Sequence, residues 1–253
     1  MMTRTQRLTR IVPATAMTRD FGGYKRETVQ PVRKVDLKEN KTVKKLKEAW
    51  VAFLKHEMNN GINGSDWCGS GGAGRAYNLT LEITKDVHCT AKDLKLFLVV
   101  LSEFADMPEY SHWYFSRRLG IFLSALINNG KDDNYVILIR NIGKEVLNGS
   151  SVDDLGWQNT KNITIEGNVG ICLGGYMKAG LIVINGNAID SCGWNMRGGK
   201  IIVNGDAEEI LGWDMTGGEI EVNGRIKDIS AWGGKIYHKG KLVFDKTYGA
   251  DEK

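Results

Sequence analysis

Hydrophobic positions recur along this chain with two different periods, and the change of period divides it. From Thr42 to Met58 the apolar residues Val43, Leu46, Trp50, Phe53 and Leu54 fall three or four apart, with Lys44, Lys45, Lys47, Glu48 and Lys55 elsewhere. That spacing predicts an amphipathic helix. Residues 59–78 are rich in glycine without a sustained period and read as a long loop. In Leu79–Val87, Leu79, Leu81 and Ile83 alternate with Thr80, Glu82 and Thr84, the period of a half-buried strand. Thr90, with Asp93 three residues on, reads as a helix N-cap for the apolar stretch Leu94–Phe104. A further helix is expected over Tyr110–Asn128, stopped by Asn129-Gly130, and then a short strand over Tyr135–Ile139, apolar enough to be buried on both faces. Residues 39–140 are thus expected to form a small α+β domain of three helices and two strands.

Beyond that point the pattern repeats. Gly167, Gly186, Gly205 and Gly224 are 19 residues apart and follow Glu166, Asn185, Asn204 and Asn223. The same period aligns Gly174, Gly193 and Gly212, then Met177, Met196 and Met215, then Gly180, Gly199 and Gly218. Strand-like pairs also repeat: Ile163 and Ile165, Ile182 and Ile184, Ile201 and Val203, Ile220 and Val222. A unit this short has no room for a strand, a helix and two loops, but it suits one coil of a solenoid whose equivalent residues stack into ladders at about 4.8 Å. The Ile/Val pairs then point inward, and each Asn-Gly corner supplies left-handed backbone. The last repeat is shortened by three residues at Trp232-Gly233-Gly234 and turns at Lys239-Gly240 in place of Asn-Gly, as expected of a terminal coil. The fold class read here is mainly β: a right-handed parallel β-helix, a single-stranded solenoid over residues 141–245, with a tail at 246–253.

The segments GGYMKAGLIVINGNA, GWNMRGGKIIVNGDA and GWDMTGGEIEVNGRI resemble the GXGXG-motif β-helix at the C-terminus of the glutamate synthase large subunit and in the C subunit of formylmethanofuran dehydrogenase. The resemblance spans residues ~156–245 and implies a structural domain that packs on catalytic partners, with no catalytic residue to carry over. Nothing else in the chain matches an amidotransferase, flavin or metal-pterin domain. The expectation is a non-catalytic scaffold or protein-interaction subunit, with an accessory subunit of such an oxidoreductase complex as the alternative.

Charge adds a third reading. Residues 1–34 carry a net +6, whereas the rest of the chain carries −2. A basic, disordered arm over residues 1–38 would suit nucleic acid or an acidic partner, and its first nineteen residues, with four arginines and no acid, would also suit an organellar transit peptide. No apolar run is long enough to span a bilayer, so no membrane partner is expected. Cys68, Cys89, Cys172 and Cys192 stand far apart without metal-ligand spacing and read as ordinary thiols in a reducing, cytoplasmic setting.

Individual motifs give no catalytic, cofactor-binding or metal-ligating residue. Gly69-Ser70-Gly71-Gly72-Ala73-Gly74 spells G-x-G-x-x-G, but a dinucleotide site needs a strand before it and a helix after it, and the pattern here predicts a loop and then a strand. The four histidines (His56, His88, His112, His238) are scattered, and Glu208-Glu209 read as a solvated pair. Trp194, Trp213 and Trp232 continue the repeat at its corner. Facing out, they form an aromatic strip of the kind that binds a protein partner or a second copy; facing in, they are packing.

Overall fold

Apolar side chains every second residue and a corner every nineteenth produce stacked, parallel strands, and the computed structural model has them. It describes residues 40–59, 70–104, 112–142, 147 and 151–249. The expected basic arm and its nucleic-acid reading lie outside the described residues, as does Cys68. Among the described residues four helices precede ten strands, of which β1 (Asn134–Leu138), β2 (Asn162–Glu166), β4 (Leu181–Asn185), β6 (Lys200–Val203), β8 (Glu219–Val222), β9 (Gly234–His238) and β10 (Lys241–Lys246) make one seven-stranded sheet in that order. The strands β3 (Val169–Ile171), β5 (Ala188–Asp190) and β7 (Ala207–Glu209) make a second, three-stranded sheet. Register follows the repeat: Ile163 pairs with Ile182, Ile182 with Ile201, and Ile201 with Ile220. The protein is a parallel β-solenoid of about four coils preceded by a small helical region.

Inside the coils the inward Ile and Val residues are fully buried, as are Met177, Met196 and Met215. Each methionine lies under a glycine of the next coil: a Cβ on Gly199, Gly218 or Gly234 would meet the Cε of Met177, Met196 or Met215 at 2.5–2.7 Å. The corner glycines work differently from expectation. Only Gly167 of the four has a positive φ, and none of Asn185, Asn204 and Asn223 does. Gly186, Gly205 and Gly224 are required instead because a Cβ would lie 2.3–2.5 Å from the backbone oxygen of the glycine one coil below. Close stacking, not left-handed backbone, selects glycine there. Left-handed residues occur at the opposite corner, where Cys172, Gly174 and Tyr176, then Ser191, Gly193 and Asn195, then Ile210, Gly212 and Asp214 all have φ between 44° and 75°.

The asparagines of the corner have a separate task. Asn185 Nδ2 donates to Glu166 Oε1 (2.7 Å), Asn204 Nδ2 to Asn185 Oδ1 (2.6 Å) and Asn223 Nδ2 to Asn204 Oδ1 (2.8 Å). Alongside runs a second ladder, in which the side-chain oxygens of Asn168, Asn187 and Asp206 accept the backbone N–H of Asn187, Asp206 and Arg225. Every coil is therefore tied to the next by side chains as well as by strand pairing.

The helical region comprises α1 (Lys41–Asn59), α2 (Ser70–Ile83), α3 (Ala91–Val100) and α4 (His112–Asn128). The apolar face expected for α1 is buried in full. At α3 the capping box is present: Thr90 Oγ1 accepts from Asp93 N, and the Asp93 carboxylate accepts from Thr90 N. The expected strand over Leu79–Val87 is instead the end of α2. Over Leu79–Thr84 the buried residues are Thr80 and Thr84, while Leu79, Leu81 and Ile83 are only half-buried, the reverse of the strand reading. Thr80 Oγ1 donates to Ala76 O (2.9 Å) and Thr84 Oγ1 to Thr80 O (2.6 Å). Bonding back to the previous turn lets a threonine be buried without an unpaired hydroxyl, so with Ala73, Ala76 and Tyr77 it forms the packed helix face. Helix α2 also takes in most of the G-x-G-x-x-G segment, so a helix follows that motif where a strand was expected.

The strand expected over Tyr135–Ile139 is β1, and it is the first rung of the long sheet rather than part of an α+β unit: Tyr135 pairs with Ile163 and Ile137 with Ile165. It is not buried on both faces. Tyr135 and Ile137 are buried, whereas Val136 and Leu138 are half-buried. Helix α4 closes the same end. A Cβ on Gly120 would stand 1.7 Å from Asp153 O, so the helix lies directly against the first coil. At the far end β10 folds back antiparallel on β9 through Lys239 and Gly240, both at positive φ, as a two-residue hairpin demands.

Candidate functional site

The corner opposite the Asn-Gly ladder carries a column of rings. The left-handed residues of the first coil, Asp154, Gly156 and Gln158, stand eighteen rather than nineteen residues before Cys172, Gly174 and Tyr176. Trp157 therefore occupies the register of Gly175, Trp194 and Trp213. The repeat spacing misses it, although Leu155-Gly156-Trp157 matches Leu211-Gly212-Trp213 and could have revealed it. Gly175 leaves room for that ring, since its Cβ would meet Trp157 Cε3 at 3.0 Å. Tyr176 fills the gap in the column: its ring centroid is 4.7 Å from Trp157 and 5.3 Å from Trp194. Trp194 stands in turn 6.4 Å from Trp213. The Arg197 guanidinium lies 5.7 Å from the Tyr176 centroid, a cation–π contact on the flank of the column.

Exposure rises along this column. Trp157 is 1% exposed and Trp194 is 5%, whereas Trp213 is 42%. Of the three candidate tryptophans, then, Trp194 is packing and Trp213 is surface. Trp232 is 53% exposed but does not belong to the column. Its N–H donates to Met215 O (3.0 Å), the bond made by Thr216 N–H to Met196 O and by Arg197 N–H to Met177 O (both 2.9 Å). The three missing residues shift Trp232 into the register of Thr216, and it makes no ring contact with Trp213 among the described residues.

A second concentration of polar groups lies where α4 meets the first coil. Asp153 Oδ1 accepts from Ile171 N (3.0 Å), its Oδ2 accepts from Ser116 Oγ (3.1 Å), and Arg117 Nε lies 3.8 Å away. Burial pushes the Asp154 carboxyl up to about 7, opposed by Arg117 and assisted by Asp153, and burial also raises Asp153. Glu57 is raised by burial too, against the pull of Arg118. Perturbed carboxyls mark reaction centres when they line a cleft. Here both aspartates are enclosed between a helix and a coil, and Ser124 beside them satisfies backbone, donating to Gly120 O and accepting from Gly156 N and Trp157 N. The arrangement fastens the helices to the solenoid.

The remaining chemistry is neutralised or scattered. A shallow cleft of about 430 Å³ is lined by Asp206, Glu208, Glu209, Arg225 and Lys227, but Arg225 is paired with Asp206 and Lys227 with Glu209. His238 Nε2 bonds Gly224 O, His56 and His88 are exposed, and the His112 side chain lies outside the described residues. Cys89, Cys172 and Cys192 are buried, with burial pushing Cys89 and Cys192 up to about 12. No group of side chains suited to a metal ion occurs among the described residues, and no described helix is long and apolar enough to cross a membrane. No family model, curated protein or solved structure matches the chain.

Proposed function

We propose that this protein is a scaffold or interaction subunit that binds a protein partner at the open end of its aromatic column, with Trp213 as the anchor. The observation that carries this reading is the contrast in exposure within one column: identical residues at identical register are enclosed at Trp194 and open at Trp213. A large ring held in place from behind by another ring loses little freedom on contact, and such residues carry most of the energy of interfaces. The resemblance to glutamate synthase and formylmethanofuran dehydrogenase β-helices makes a redox enzyme the first class of partner to test.

The test compares two substitutions. Trp213→Ala should lose a copurifying partner while the melting temperature changes by only a few degrees; Trp194→Ala should cost about 3–5 kcal/mol of stability, as loss of a buried ring does. Retention of the partner by Trp213→Ala, or collapse of stability in that variant, refutes the interface. If size-exclusion light scattering instead reveals a dimer that Trp213→Ala dissociates, the partner is a second copy of the chain.

A further inference from the structure

Three of the solenoid corners are Asn-Gly pairs, at Asn185, Asn204 and Asn223, and Asn129-Gly130 is a fourth among the described residues. Asparagine is thermally labile, most of all before glycine, where no side chain keeps the glycine nitrogen from the asparagine side-chain carbon. Attack asks two things of that nitrogen. It must give up its proton, and its peptide must turn toward the asparagine side chain. A backbone hydrogen bond from the N–H opposes both.

The structure sorts the four pairs on this point. Gly205 N–H donates to Gly186 O (3.0 Å), Gly224 N–H to Gly205 O (2.9 Å) and Gly130 N–H to Ile127 O (3.1 Å). Gly186 N–H has no acceptor among the described residues. The cause lies one coil below. There the corner is Glu166-Gly167, and Gly167 has φ 125°, whereas Gly186, Gly205 and Gly224 are not at positive φ. Gly167 N–H donates to Asn185 O (3.3 Å), so the bond between these two corners runs in the opposite sense to those above it. The side chain of Asn185 is prepared as well: its Oδ1 accepts from Asn204 Nδ2 at 2.6 Å, which draws electrons from the carbon to be attacked. Asn204 has the same polarising bond from Asn223, but its glycine N–H is tied. Asn185 is exposed and Gly186 half-buried, so water reaches the pair.

We propose that Asn185-Gly186 is a self-modification site of the solenoid, independent of the interface at Trp213. Gly186 N, its proton given to water, bonds to Asn185 Cγ. The Cγ–Nδ2 bond breaks, and the side-chain nitrogen takes a proton from water and leaves as ammonia. Water then opens the succinimide at either carbonyl, giving aspartate or isoaspartate. Aspartate sets a carboxylate where Asn185 Nδ2 had donated to Glu166 Oε1 at 2.7 Å, which turns an attraction into a repulsion of like charges. Isoaspartate adds a methylene to the backbone at a corner where a Cβ on Gly186 would already stand 2.3 Å from Gly167 O. Either product loosens the tie between the coils of β2 and β4.

The test is to age the folded full chain in heavy-oxygen water at mildly alkaline pH and to follow each asparagine by proteolysis and mass spectrometry. Asn185 should turn to acid, with heavy oxygen incorporated, about fivefold faster than Asn204 or Asn223, the factor that one typical net hydrogen bond is worth in a rate. In concentrated urea, where every glycine N–H is free, the three rates should converge. Equal rates in the folded chain, or earlier loss of Asn204 or Asn223, overturn the site. A preference for Asn185 that persists in urea assigns the effect to local sequence and overturns its structural origin. Asn185→Asp should melt a few degrees below wild type, and Glu166→Gln in that background should recover the loss. An Asn185→Asp variant that melts with wild type overturns the claim that modification loosens the coils.

Discussion

The solenoid and the helical region solve the same problem, satisfying polar groups at tightly packed backbone, by opposite means. In the solenoid one residue type does one job repeatedly: each corner asparagine bonds its equivalent one coil away. Where α4 meets the first coil, polar residues are used once and heavily. Asn128 Nδ2 donates to Tyr77 Oη and Trp157 O while its Oδ1 accepts from Thr160 N, and Ser124 alone serves four backbone groups. Repetition suffices between equal coils, but the end of a solenoid has no equal neighbour, and closing it takes unrepeated chemistry.

That contrast breaks most visibly in the coil core. Val203→Asp places a charge among fully buried residues of adjacent coils and should cost several kcal/mol, unfolding the solenoid in a thermal melt. Survival of the wild-type melting temperature would show that the coils do not share one core.

A smaller effect separates a helix from a strand over residues 79–84. Thr80→Glu should destabilise by about 2–4 kcal/mol because Thr80 is fully buried against its neighbours, whereas Leu79→Glu, half-buried, should cost about 1 kcal/mol. The reverse order in chemical denaturation would restore the strand.

The smallest effect concerns the seam between the two regions. Folded, Asp154 holds its proton up to about 7; unfolded, a carboxyl releases it at about 4. Between those values the folded state binds the extra proton, so this residue's contribution to stability falls as pH rises. Asp154→Asn, whose side chain tolerates the left-handed backbone at φ 55°, should flatten the fall in melting temperature between those pH values. An unchanged pH profile would mean that the seam does not hold a protonated carboxyl.

Much of the solenoid was legible in the sequence because its period is written in several residue types at once, so Ile201, Met196 and Gly199 each report the same register. The capping box at Thr90 was legible for a related reason: the bond is local. What escaped had non-local or compensated causes. Thr80 and Thr84 read as polar because a sequence does not display a hydroxyl bonded to its own helix. Trp157 was hidden by one absent residue in the first coil, and Trp232 was drawn into the column by a spacing that the deletion had already broken. Asp153 and Asp154 become a seam only when α4 arrives at Gly120, thirty-odd positions earlier in the chain.

The ladders have a consequence for how such a molecule changes length. A corner in which a Cβ on Gly186 would stand only 2.3 Å from Gly167 O, and in which each amide meets its counterpart, has no place for half a coil. Growth is therefore counted in whole units. Duplicating residues 200–218 would carry Trp213 away from α4 by one interstrand step, about 4.8 Å, with both ends unaltered. The protein is in this sense a ruler, and the number of its divisions sets how far the last coil stands from α4.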